Sequence, residues 1–147
     1  MQTTVQGGEQ FVGQFTRLKG AGPTAMLHFI TEITTEVHGT AVRGIQRGPA
    51  SGRMYKSSVS AAQHQASAMG EYPMSDSGTL ARSVVLIPPT NKTKPVGIVG
   101  TNLDYGAILE LKAPSRGGRP WLSRALKTVM RRGTDKILER VFKRLAK

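Results

Sequence analysis

The chain has 147 residues, 38% of them apolar, with four Phe, three Tyr, one Trp and no cysteine. A domain of this length buries roughly 68–70% of the surface its unfolded chain exposes, so one real core is available, and the missing thiols exclude disulfides and thiolate metal sites. The net charge of +12 is uneven: residues 112–147 carry twelve Lys/Arg against two acids, a net +10, while residues 1–111 carry nine against seven, a net +2.

Residues 1–147 read as one domain. The first eight residues have neither a basic nor an apolar signal region, which predicts no signal peptide, and no apolar run approaches the ~18–20 residues of a membrane span. Phe11, Phe15 and Leu18, at i, i+4 and i+7, predict a short helix over 9–19. Gly20-Ala-Gly-Pro breaks it, and Pro23 suits the first turn of the next helix. From Thr24 to about Gly44, Met26, Ile30, Ile33, Val37 and Ala41 fall within roughly 80° of one another at 100° per residue. This predicts a long N-terminal helix.

Residues 46–79 lack periodicity and are rich in Gly, Ser, Pro, Gln and Met. They are expected to form a long, mobile loop, with at most a short helix around Ser57–Ala68; connectors of this length are usually functional or disordered. Leu80–Ile87 reads as a strand stopped by Pro88-Pro89, and Pro95–Thr101 as a second, the two joined as a hairpin through Thr90–Lys94. Tyr105–Leu111 fits a third strand or a helical turn.

A C-terminal helix is expected to open at Pro120, with Leu122, Ala125, Leu126 and Val129 on one face. Ile137, Val141 and Leu145 lie about 100° around from that face, which predicts a break at Gly133 with Thr134 capping the second segment. The fold class is therefore α+β: a small, mainly antiparallel sheet with a long N-terminal and a C-terminal helix packed on it. The basic segment 116–147 suits an acidic or polyanionic partner, or simply a solvated helical face.

No constellation supports catalysis. His28 and His38 stand about 80° apart and ~15 Å along one helix, too far to share a metal, and His64 sits alone. Glu71, Asp76, Asp104 and Glu110 are not placed in pairs, so general acid–base chemistry lacks its geometry. Asp76-Ser-Gly-Thr reads as a turn or helix cap. Gly97 and Gly100 flank a strand and do not lead from it into a helix, so no dinucleotide fingerprint is present. Trp121 and Phe142, the aromatics of the basic third, fall on apolar faces, which leaves nonspecific phosphate attraction but no platform for base readout. No catalytic, cofactor or metal residue is expected.

Three blocks instead follow a familiar order. His64-Gln-Ala-Ser leads through Gly70-Glu-Tyr-Pro to Asp76-Ser-Gly-Thr-Leu-Ala-Arg-Ser, similar to a small-residue loop ending in D-T-G-x-L-x-x-S and marked by Asp76, Gly78 and Leu80. Val99-Gly-Thr-Asn, continuing to Tyr105 and Glu110, is similar to V-G-T-N-x-x-Y-A-x-x-x-E and carries Asn102. Arg119-Pro-Trp-Leu with Ala125-Leu126 is similar to R-P-F-L-x-x-A-L, marked by Arg119 and Pro120. The chain departs from the pattern at Leu111-Lys-Ala, where an aromatic and Gly-Thr are usual. Over roughly residues 24–130 the sequence resembles the neck and tail-completion proteins of long-tailed bacteriophages.

The resemblance implies a structural virion protein. It would form a ring at the head–tail junction, six copies favoured over twelve, between the head-closure or connector proteins and the tail-terminator or tail-tube proteins. It would reside in the virion, and in the host cytoplasm during assembly. DNA would pass through the ring without sequence-specific contact, and no membrane or cofactor would be involved. The basic residues Arg124, Arg131, Arg132, Lys136, Arg140 and Lys143 would face protein partners, with Arg124 in a subunit interface. The alternative is a basic DNA-binding or packaging-associated protein.

Overall fold

Two helices open the chain. Residues 8–146 are described by a computed structural model of α+β class; the side chains of Phe11 and Phe15 lie outside the described residues. Helix α1 (Gly8–Gly20) buries Leu18 and Gln14, and Gly22, at φ +90°, turns the chain into α2 (Pro23–Arg47) with Pro23 in its first turn. Glycine is the residue that adopts that left-handed conformation without steric cost.

Helix α2 is the axis of the core. It buries Ala25, Phe29, Thr34, Val37, Thr40, Ala41 and Ile45, an arc of about 200° at 100° per residue. Such an arc exceeds a one-sided amphipathic stripe because α2 is covered from two directions, by α1, α5 and α6 and by the segment around 79–100. Of the predicted stripe, Val37 and Ala41 are buried, while Met26, Ile30 and Ile33 are only partly covered. Thr34 is tolerated inside because its hydroxyl donates to the Ile30 carbonyl at 2.6 Å, a back-bond that leaves no orphan donor.

The segment 46–79 is not featureless. Its middle forms a hairpin, β1 (Met54–Lys56) against β2 (Gln63–Gln65), with Tyr55 opposite His64; the helix considered over 57–68 does not form. Five of the six strand residues are exposed, and among the helices and strands the hairpin's main packing is between its own two strands.

Leu80–Ile87 splits into a short helix, α3 (Thr79–Ser83), and a strand, β3 (Val85–Ile87). The burial of Leu80, Ala81 and Val84 has i, i+1, i+4 spacing, which a helical turn satisfies and an alternating strand does not. The second predicted strand contracts to β4 (Ile98–Gly100), antiparallel to β3 with Leu86 opposite Val99. In the intervening loop the Asn91 Oδ1 accepts from the amides of Thr93 and Lys94. The sheet expected as one body is therefore two separate two-stranded ribbons. Tyr105–Leu111 resolves as helix α4 (Asp104–Leu111).

Helix α5 (Leu122–Arg131) starts two residues after Pro120, and α6 (Asp135–Leu145) follows a break at Gly133, φ +82°. Both pack on α2, through Ala125 and Val129 from α5 and Ile137, Leu138 and Val141 from α6. Leu126 and Leu145, expected on the buried faces, are exposed. Thr134 occupies the N-cap position but does not cap: its hydroxyl donates to the Gln14 carboxamide oxygen, while the Gln14 amide donates to Asp135. That buried chain ties α1 to the C-terminal break.

Candidate interaction surface

The motif residues converge on the start of α5. The first amides of a helix have no partner within it. Here Glu110, at the end of α4, accepts from the amides of Trp121 and Leu122 at 2.7 Å each and of Ser123 at 3.0 Å. Burial pushes the Glu110 carboxyl upward, but the Ser123 hydroxyl and the three amides outweigh that and hold it below its ordinary range. The Trp121 indole donates to the Gly106 carbonyl at 3.0 Å and is almost fully buried. Gly106 itself sits close against Thr101 and Leu80, since a Cβ there would stand 2.7 Å from Thr101 Cγ2 and 2.9 Å from Leu80 Cδ1. Blocks distant in sequence thus close on one another through Leu80, Glu110 and Trp121.

Side chains also anchor the 46–79 segment to this centre. Arg119 donates from Nε and Nη2 to the Ser67 carbonyl at 3.3 and 2.8 Å, while its own amide donates to the Leu109 carbonyl. Arg124 donates to the Gly70 carbonyl, and its guanidinium lies 5.4 Å from the Tyr72 ring centroid. The Glu71 carboxylate takes the Ser51 hydroxyl and the amides of Ser51 and Ala68, and those bonds, the Ser51 hydroxyl first, lower its pKa. At the far end Asp76 accepts the hydroxyls of Ser57 and Ser58 at 2.5 Å each and the Ser58 amide at 2.8 Å. These bonds, led by Ser57, hold its carboxyl at about 2. His64 Nδ1 stands 4.0 Å away, and Tyr55 packs edge-on against the His64 ring. Gly78, at φ +76°, opens α3 directly after this clasp.

The remaining predicted residues are dispersed. Asn102 is exposed and makes no hydrogen bond among the described residues, and Pro120 is half-buried. Tyr105 is 44% exposed, at the mouth of a depression lined by Pro73, Asp76 and Leu80. Arg131, Arg132, Lys136 and Lys143 are exposed and without ion pairs among the described residues. Arg140, also expected to face a partner, is exposed and bridges Glu32 and Glu36 of α2 at 3.4 and 3.2 Å, and Arg144 joins Glu32 at 3.2 Å. The reason is geometric: α6 packs along α2 and brings these cations over its acidic flank. Arg124 likewise makes its contacts within the subunit.

Apolar side chains reach solvent beside this centre. Val85, Ile87 and Ile98 form the outer face of β3–β4, and Ile108 and Leu111, the latter 84% exposed, line the open side of α4. Sequence reasoning missed the acceptor roles of Glu71 and Glu110, since nothing local marks a carboxylate that serves amides far along the chain. Among the described residues no His, Asp and Glu cluster could hold a metal, and no helix is long and apolar enough to cross a membrane. Scans against protein-family models, curated proteins and solved structures each returned no match to this chain.

Proposed function

We propose that the protein is a structural subunit of a tailed-bacteriophage virion, a neck or tail-completion component that closes into a ring at the head–tail junction. The observation that carries this reading is the apolar surface on β3–β4 and α4, flanking a centre whose polar residues are spent on holding the fold. Monomers rarely leave such side chains clustered in water without a partner for them. Copies packed head to tail around a closed axis would cover them, and a heterologous interface that closes makes a ring. The protein then acts by assembly and not by catalysis, with head-closure proteins on one side, tail proteins on the other, and DNA passing through the lumen.

Mass photometry and negative-stain imaging of the protein, alone and with its virion neighbours, test this. Six copies of a 15.8 kDa chain give rings of about 95 kDa. A particle map with this chain present once, or in no ring, overturns the proposal. A second reading, duplex binding, draws on Arg131, Arg132, Lys136 and Lys143, which stay exposed and without carboxylate partners among the described residues. Steeply salt-dependent duplex binding by the free protein would favour it.

A further inference from the structure

The β1–β2 hairpin is held from one side and open on the other. Backbone bonds extend it past the strands, from the Ala66 amide to the Arg53 carbonyl at 2.9 Å and from the Ser57 amide to the Ala62 carbonyl at 3.0 Å. The ribbon thus runs from Arg53 to Ser57 and back from Ala62 to Ala66, about 17 Å at ~3.4 Å per residue. Tyr55 and His64, opposite one another, mark the held face: His64 Nδ1 stands 4.0 Å from Asp76 and Tyr55 packs edge-on against the His64 ring. Opposed residues share a face and successive residues alternate between faces. Met54, Lys56, Gln63 and Gln65 therefore lie on the other face, and all four are exposed. Gln65 gives one N–H to the Gly52 carbonyl at 3.2 Å, and its carboxamide keeps a second N–H and an acceptor oxygen for another partner.

The open face is polar, and its only charge is positive. Lys56 stands on it, and Arg53 is exposed at the base of the ribbon. The nearest acids along the chain, Glu71 and Asp76, each already accept three hydrogen bonds from residues at the ends of the ribbon. Those clasps order the ribbon in advance, so little conformational freedom is lost on binding. The turn 58–61 holds only Ser, Val, Ser and Ala, and no bulky side chain blocks its tip. A protein-binding face centres on aromatic or large apolar anchors, whereas here the ribbon's tyrosine is on the held side. Two carboxamides, an ammonium and a thioether on an antiparallel ribbon match duplex DNA instead. Its major groove, about 12 Å wide, admits a two-stranded ribbon and presents base edges that glutamine and lysine can bond. We propose that the hairpin enters the major groove of duplex DNA, with Gln63 and Gln65 on base edges, Met54 against a thymine methyl, and Lys56 and Arg53 on base or phosphate oxygens. The site lies on different elements from the α5–α6 cations and needs no ring, so it stands or fails apart from the proposed assembly.

The probes are a short B-form DNA duplex, an RNA duplex of the same sequence and poly-glutamate, each titrated into the full chain by amide NMR. DNA should shift Met54, Lys56, Gln63 and Gln65, including both glutamine side-chain amides, with a Kd of roughly 10–100 µM at ~50 mM salt. The RNA duplex should bind at least about fivefold more weakly, because the A-form major groove is too narrow and deep to admit the ribbon. With two cations engaged, log Kobs should fall against log salt with a slope of about −2, where the four exposed cations of α5 and α6 would give about −4. Lys56→Glu should weaken DNA binding about fivefold or more, and the double variant Gln63→Ala, Gln65→Ala should lose the preference for DNA over RNA. Both change exposed side chains and should melt with the parent. Charge reversal at Arg131 and Arg132 should leave the hairpin shifts in place. No binding, equal affinity for the two duplexes, or shifts confined to α5 and α6 overturns the proposal. So does poly-glutamate shifting the same amides as tightly as DNA, which would assign the face to an acidic protein.

Discussion

Replacing Glu110 with alanine removes the acceptor for three helix-start amides at once. An N-cap acceptor contributes ~0.5–2 kcal/mol, and a carboxylate at a helix N-terminus a further ~0.3–1 kcal/mol. Glu110 serves the Trp121, Leu122 and Ser123 amides together, which favours the upper part of both ranges. Its partial exposure and the resulting screening keep the total below the sum of the maxima. Glu110→Ala should therefore cost about 2–3 kcal/mol, and Glu110→Gln, which keeps an acceptor oxygen but loses the charge, about 1 kcal/mol. For a chain of this size that is a fall in melting temperature of about 6–12 °C for alanine, read by calorimetry or circular dichroism. Because the folded carboxyl is held below its ordinary value, its contribution is present above the unfolded pKa and lost as pH falls through the folded one. The parent should lose this stability on acidification below about pH 4.5, and Glu110→Gln should lack that component. Glu139→Ala, at an exposed position on α6 without an ion pair among the described residues, is the control and should stay within about 0.5 kcal/mol of the parent. If Glu110→Ala melts with the control, the carboxylate is not the cap of α5.

Asp76→Asn should leave the melting temperature near that of the parent but make the Met54–Gln65 hairpin more susceptible to limited proteolysis at neutral pH. With its carboxyl held at about 2, the parent clasp should weaken only as pH falls from about 4 toward 2; hairpin cleavage equal to the parent's would show that Asp76 does not hold it. Gly118→Ala should destabilise by more than about 2 kcal/mol, because its Cβ would stand 1.9 Å from the Lys112 carbonyl oxygen; a neutral result in thermal unfolding would contradict this backbone approach. Charge reversal at Arg131 and Arg132 should impair neck assembly and leave duplex binding at ~150 mM salt little changed. Lost duplex binding with intact assembly would instead identify DNA as the partner of this face.

Local sequence was sufficient wherever a single element's own chemistry decides the outcome. The apolar repeat through Val37 and Ala41 marks α2, the glycines and proline at 20–23 mark its start, and Gly133 marks the break before α6. The paired prolines after Ile87 end β3, and the α+β class follows from these pieces. Elements whose form depends on distant partners were not legible. Leu80–Ser83 reads as strand only through the Val84–Ile87 run that follows it, yet it coils, which brings Leu80, Ala81 and Val84 to the same core. The segment 46–79 reads as structureless because its hairpin has no hydrophobic face. Its order comes from Glu71, Asp76, Arg119 and Arg124, single polar side chains acting across many residues. Arg140 reads as a free cation until α6 lies along α2 and meets Glu32 and Glu36. Glu110 likewise becomes a helix cap only when α4 is set against the start of α5. Periodicity and turn chemistry act within a few residues and can be read along the chain, whereas a carboxylate's choice of amide or guanidinium is made by packing, and only the tertiary structure supplies it.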